Sequence, residues 1–276
     1  MTTLVLVASL IVGGGTLVLL ARDDRPAFRL ATPVVFGALI LWLWQVVCIG
    51  YDVPLVLLPA PSQIGIAIIA HLPTLGADFR QTFLRAVIPG WAIGSLLGLA
   101  AAIALDCSPF LRRGVLPLSS LVSAMPIVGI APIMVMWFGF DWQSKAAVVV
   151  VMTCFPMLVN AAAGLAQAGA MESDLMRSYG AGYLQTLTKL RLPAALPFVF
   201  NALKLNATLA LIGAIVAEFF GTPIVGMGFR ISTEAARLNL DVVWAEIVLA
   251  AVAGSLSFAL LTLVERVVTF WHPSFH

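Results

Sequence analysis

Charge is what this chain has least of. Only 10% of its 276 residues are charged, against roughly 25% in an ordinary soluble domain. With 61% hydrophobic residues and a mean hydropathy of +1.05, that deficit excludes a water-facing globule and points to the bilayer. The net charge of +2, with no long basic cluster, gives no reason to expect a nucleic-acid partner. Three cysteines, Cys48, Cys107 and Cys154, lie far apart in apolar runs and read as small buried hydrophobes, not as a disulfide or metal site. Three histidines, His71, His272 and His276, form no H-E-x-x-H pattern, so neither a metal site nor a catalytic set is expected. A G-x-x-x-x-G-K-[ST] phosphate loop is also missing. Repeats and low-complexity segments are lacking as well, and one domain is visible.

What is present is long apolar runs. A spanning helix needs about 20 mostly apolar residues, and seven candidates lie near 2–21, 30–50, 86–105, 115–138, 146–168, 195–220 and 242–264. The first lacks a basic leader and is long for a signal peptide, so it reads as a retained span, with Gly13-Gly14-Gly15 as its weak point and a cleaved leader as the alternative. Lysine and arginine tend to stay on the cytoplasmic side. Taking the 171–193 loop as cytoplasmic puts Arg22, Arg25, Arg29, Arg112, Arg113, Arg177, Lys189, Arg191 and Arg266 on that side. Arg80, Arg85, Lys145, Arg230 and Arg237 fall opposite, with Lys204 set aside inside a span. The N-terminus is then outside and the C-terminus cytoplasmic.

The segment 51–84 is expected outside. Its turn Leu58-Pro59-Ala60-Pro61 precedes Ser62, a candidate N-cap for a short helix through His71 that lies along the membrane surface or packs as a second core helix. In the fourth span, Pro126 and Pro132 each remove a backbone donor and Gly129 loosens the chain between them. Such breaks suit a bundle interior or a watery path. Met125, Pro126, Gly129 and Pro132 are therefore path candidates, with Met125, Met134 and Met136 equally readable as packing. Ionisable groups inside spans are functional candidates. Lys204 and Glu218 qualify: Lys204 can snorkel inward, and Glu218 can pair with Arg230, be solvated, or gate the path.

One stretch breaks the apolar pattern: MESDLMRSYGAGYLQTLTKLRLP, 171–193. Read as a helix over 173–187, it aligns Leu175, Tyr179, Tyr183 and Leu187, with Met176 and Leu184 widening the stripe. At about 15 residues it is too short and too polar to span. Its mixed charge argues against simple lipid adhesion. Gly180 and Gly182 permit a tight bend or close backbone approach, and a helix-in-groove contact with a partner protein fits best.

The spacing here is specific. The segment resembles the signature loop of binding-protein-dependent ABC transporter permeases: Glu-Ala-Ala, three residues, Gly, nine residues, Ile, one residue, Leu-Pro. Asp174 stands at the Glu, Gly180 at the Gly, Leu190 at the Ile, and Leu192-Pro193 at the Leu-Pro; Leu175 and Met176 replace the alanines. The likeness covers about 30–272 and is closest to the nitrate/sulfonate/taurine type, through LLPAPSQI, TFLRAV, PIVGIAPIMVMWFG, LPAALP, AEFFG and GMGF.

The resemblance implies an all-α polytopic membrane protein with the type I ABC importer permease fold. About six core helices over 30–276 follow an additional N-terminal helix and linker over 1–29. It implies a bacterial inner-membrane location and a coupling helix set in a groove of a cytoplasmic ABC ATPase dimer, using Asp174, Arg177, Tyr179, Gly180, Leu184, Leu192 and Pro193. A second permease subunit, identical or related, and a periplasmic or surface-anchored solute-binding protein complete the set, with lipid around it. The chain itself would bind no cofactor; ATP and Mg would sit on the ATPase. For the solute, no firm cationic site is visible in the spans. The run ALKLNATLALIGAIVAEFFGTPIVGMGF looks most like the pyrimidine, thiamine-precursor or riboflavin branch, so a pyrimidine-like solute leads over alkanesulfonate, taurine or nitrate. An ion-coupled secondary transporter would want acids at mid-depth, and none stands centrally in the third to fifth spans.

Overall fold

A computed structural model describes residues 2–22, 26–108, 110–111, 113–115, 117, 126–221 and 224–270. Among them the regular structure is entirely helical. Six helices are long and apolar enough to cross a membrane: α1 (Thr2–Arg22), α2 (Pro26–Gly50), α4 (Leu72–Cys107), α6 (Trp142–Leu165), α8 (Tyr183–Glu218) and α10 (Leu240–Val268). Between them come the shorter α3 (Pro61–Ala70), α5 (Ile127–Phe138), α7 (Ala170–Ser178) and α9 (Met227–Ala236). Of the expected span at 115–138, only Ile127–Phe138 forms a described helix of useful length; its 12 residues are too few to cross alone. Met125, Arg25, Arg112, His272 and His276 lie outside the described residues.

The contacts divide the chain into two compact units, Met1–Thr74 with Thr233–Ile247, and Leu75–Ser232 with Val248–His276. In the first, α1 and α2 form an antiparallel hairpin. Thr2 Oγ1 donates to Gly50 O at 2.9 Å, and Trp42 Nε1 donates to Ser9 Oγ at 3.1 Å. The triple glycine does not interrupt α1; Gly13 makes room for Leu39, whose Cδ1 would lie 2.5 Å from an added Cβ. Ser62 is not the cap of α3. Ala60 holds that place in extended backbone, Pro61 takes the first helical position where its missing N–H costs nothing, and Gln63 Oε1 accepts from Ala60 N at 2.8 Å.

The second unit is built on close backbone contact. Gly90, Gly94 and Gly98 recur every four residues on α4 and seat α6: an added Cβ would fall 2.7 Å from Val149 Cβ at the first, and would collide with Thr153 Oγ1 and Cys154 O at the others. On α8, Ala195, Ala202, Ala210, Ala214 and Ala217 are fully buried, and Ala195 packs on Gly164 of α6. Asn206 joins three helices, its Nδ2 donating to Ser95 Oγ on α4 at 3.1 Å and to Thr153 O on α6 at 2.8 Å.

Both long helices extend beyond their apolar cores. α4 reaches back to Leu72, so the part of the expected external segment from 72 to 84 is the start of a spanning helix. α8 begins at Tyr183, within the polar insert. Each has 36 residues, about 54 Å at 1.5 Å per residue, longer than the roughly 30 Å hydrocarbon core. Each also contains a π-wound stretch, Arg80–Val87 and Leu187–Arg191, with Ile88 N bonding Phe83 O and Leu192 N bonding Leu187 O. A proline follows each, Pro89 and Pro193, and the wider winding redistributes the bonds those prolines interrupt.

Candidate functional site

The polar segment is two helices, not one. α7 stops because Gly180 turns left-handed at φ +71. Gly180 N then bonds Arg177 O at 3.0 Å and Ala181 N bonds Met176 O at 3.0 Å, the paired closure that a glycine at this position allows. The bend expected of the Gly-Ala-Gly is present, and the continuous helix over 173–187 is not. It divides the apolar stripe. Leu187 is buried in the core with Ala102, Leu165 and Ala195, whereas Leu175, Tyr179 and Leu184 are 55%, 82% and 70% exposed. No residue from Ala166 to Thr186 is buried. Asp174 and Arg177 pair at 3.5 Å but remain largely in solvent, where such a pair contributes little. Leu192 packs at the edge of the core and Pro193 is half-buried.

At the foot of this segment, the Asp106 carboxylate in the last turn of α4 accepts from Arg191 Nη1 at 2.5 Å and Tyr183 Oη at 3.0 Å. Cys107 beside it is exposed, not buried as its apolar surroundings suggested; Cys48 is buried and Cys154 half-buried.

A buried polar cluster grips residues 226–230. Three successive backbone N–H groups meet three side chains: Gly226 N donates to Asp78 Oδ1 at 2.6 Å, Met227 N to Thr82 Oγ1 at 2.8 Å, and Gly228 N to Glu218 Oε2 at 2.7 Å. Thr82 Oγ1 also donates to Glu218 Oε1 at 2.7 Å, and Arg230 Nε donates to Asp78 Oδ2 at 2.9 Å. Arg230 thus pairs with Asp78 and not with Glu218. Glu218 is 3% exposed and hydrogen-bonded, not solvated. Gly226 sits at φ +146, where a Cβ would lie 2.7 Å from Glu218 Oε1. Lys145, counted from sequence as an outer-loop charge, is 1% exposed; its ammonium donates to Phe140 O, Gly221 O and Ser144 Oγ. Asp141, just before α6, accepts from Gln81 Nε2 and Trp142 N, both at 2.8 Å. The Gln81 amide first, then the Trp142 N–H, hold its carboxyl below the usual range. Deeper in the helices, Lys204 Nζ reaches Glu265 Oε2 at 2.8 Å and lies 5.8 Å from the Phe258 ring centre.

The path candidates separate. Pro126 caps α5 in extended backbone and is exposed, as is Gly129, while Pro132 is half-buried within α5. Ala131 on the same helix faces Val148 and Ala217. Glu218 belongs to the clamp just described. Sequence reading missed Asp78, Thr82, Asp106 and Lys145; the signal available was an isolated polar residue in or beside an apolar run, which carries no indication of its partner.

Comparison with known proteins agrees with this architecture. The family model described as "Binding-protein-dependent transport system inner membrane component" matches residues 94–270. The "Probable ABC transporter permease protein" of Haemophilus influenzae is 30% identical, over 86% of this chain and 97% of its own. The formylaminopyrimidine transport permease protein ThiX of Halalkalibacterium halodurans is 28% identical, over 90% and 98%. The taurine transport system permease protein TauC of Escherichia coli is 26% identical, over 85% and 87%. Apolar helices long enough to span, the bent polar segment between α6 and α8, and a family match over more than half its length place this chain among the inner membrane components of binding-protein-dependent ABC importers.

Proposed function

We propose that the chain lines the translocation path of such an importer and is driven through its exposed 170–186 segment by a cytoplasmic ATPase dimer. The observation carrying this reading is the segment's exposure. Leu175, Tyr179 and Leu184 are large, apolar and uncovered on an element bent at Gly180, and a helix-in-groove partner would cover them. Asp174 and Arg177 would supply polar contacts at the rim, while Leu192 and Pro193 anchor the segment to α8. ATP and Mg belong to the ATPase, and this chain binds neither. The segment then faces the cytoplasm, with the N-terminus outside and the C-terminus inside, and residues 1–29 add a helix and linker to the permease domain at 30–276. A second permease subunit completes the path, lined in part by Met125, Pro126, Gly129 and Pro132. The clamp around Glu218 shapes its outer end, where a solute-binding protein delivers its cargo.

For the solute we favour a pyrimidine-like heterocycle. Support comes from the relative named for formylaminopyrimidine, 28% identical over nearly its whole length. The taurine relative, at 26%, keeps a sulfonate as the second reading. Thermal-shift screening of the cognate binding protein against both classes separates them.

The docking reading is tested by co-purification of the detergent-solubilised chain with its ATPase. Tyr179→Asp combined with Leu184→Asp alters only exposed side chains, so folding is preserved and association should be lost. Undiminished association would overturn it.

A further inference from the structure

We propose that Asp106 is the positioning residue through which movement of the 170–186 segment reaches α4. The inference rests on the docking reading and extends it. No residue from Ala166 to Thr186 is buried, so the segment has no packed core of its own to transmit a displacement. The first residues beyond it that engage the bundle firmly are Leu187, buried with Ala102, and Arg191. Arg191 and Tyr183, about two turns apart on α8, converge on the same Asp106 oxygen at 2.5 and 3.0 Å. Tyr183 precedes the π-wound stretch Leu187–Arg191 and Arg191 ends it, the part of α8 where regular helical bonding is interrupted and bending is easiest.

Asp106 is itself poorly placed for local stability. It lies in the last turn of α4, which carries no basic residue, and an acid there faces the negative end of the helix dipole. Its charge is offset across the gap to α8, by the Arg191 guanidinium and the Tyr183 hydroxyl. The Asp106 side chain is 12% exposed and that of Arg191 29%, so the pair is screened less than a surface pair. The carboxylate therefore ties both sides of a bendable turn to the end of a 36-residue helix. At its other end, the same helix presents Asp78 and Thr82 to the 226–230 backbone. A push on α8 at Tyr183 is thereby passed to α4 at Asp106 and carried along that helix, across its own π-wound stretch Arg80–Val87.

The test uses the assembled transporter in membranes. Cys48, Cys107 and Cys154 are replaced by serine, and Arg80→Cys places one reporter thiol on an exposed site at the far part of α4. Its maleimide labelling rate is compared with and without ATP plus vanadate. With Asp106 intact the two rates should differ. Asp106→Asn should keep ATPase association and ATP hydrolysis but lose that difference, and Asp106→Glu should restore it. A full nucleotide-dependent difference in Asp106→Asn overturns the proposal. Should Asp106→Asn fail to assemble, Tyr183→Phe with Arg191→Lys weakens the same grip without altering the carboxylate, and an undiminished difference there overturns it equally. Failure of the docking reading is seen separately: association would then survive Tyr179→Asp with Leu184→Asp, whatever Asp106 does.

Discussion

At the level of single residues, the polar groups with most at stake are those captured one to one. Thr82 both accepts from Met227 N and donates to Glu218. Thr82→Val keeps the shape but strips both bonds, leaving a buried N–H and part of a carboxylate without partners. The expected loss is about 2–4 kcal/mol, from penalties of roughly 1–3 kcal/mol per orphaned group, read as a lower midpoint of thermal unfolding in detergent. Two of the positive-φ glycines, Gly180 and Gly226, should behave differently. A Cβ added at Gly180 would meet nothing within 4 Å, whereas at Gly226 the Glu218 carboxylate lies within 3 Å. Gly180→Ala therefore carries only the left-handed backbone cost, about 1 kcal/mol, in a segment without buried residues, and should weaken ATPase association while barely moving global stability. Gly226→Ala adds a clash in the clamp and should lower the unfolding temperature. Equal thermal effects of the two would contradict this assignment.

Between elements, the Lys204–Glu265 pair joins α8 to α10. Removing one partner strands a charge in a largely buried site, so Lys204→Met should cost about 3–5 kcal/mol, whereas Lys204→Met with Glu265→Leu should be near neutral. A double-mutant cycle on unfolding in detergent measures this. A double variant no more stable than Lys204→Met alone would show that the pair does more than neutralise itself. At the start of α6, Asp141 caps the helix and accepts from Gln81 with its carboxyl below the usual range. A depressed folded value means the contribution is complete above the unfolded value, roughly 3.9, and fades as pH falls through the folded one. Asp141→Asn should therefore lower stability at neutral pH and flatten the acid limb of the stability-versus-pH curve, converging on the parent protein once pH falls below the folded value. An unaltered acid limb would remove Asp141 from the explanation.

Across the whole molecule, the helical architecture was largely legible from composition and run length. Hydrocarbon admits few structures that satisfy every backbone group, so a run of about 20 apolar residues nearly names its own conformation. The intervals from Asp174 through Gly180 to Leu190 and Pro193 were readable for a related reason: the turn at Gly180 needs a residue tolerant of positive φ, and its place in the chain is visible. Helix ends were less legible. The extension of α4 back to Leu72 and of α8 to Tyr183 depends on π-wound turns ahead of Pro89 and Pro193, where the sequence suggested a loop or a separate helix. Hydropathy marks where a chain enters lipid, not where its helix begins.

The sequence alone determined that this chain lives in a membrane, that one short segment is too polar and too short to span it, and to which family it is related. Those properties follow from solvent preference and local spacing, which act along the chain. Tertiary structure decided which polar group meets which: Arg230 with Asp78, Lys204 with Glu265, Arg191 with Asp106, and Glu218 with Thr82. The partners in these four pairs are separated by 152, 61, 85 and 136 residues. Electrostatic and hydrogen-bond energies fall off over a few ångströms of space and are blind to distance along the chain, so only the packed helices could select them.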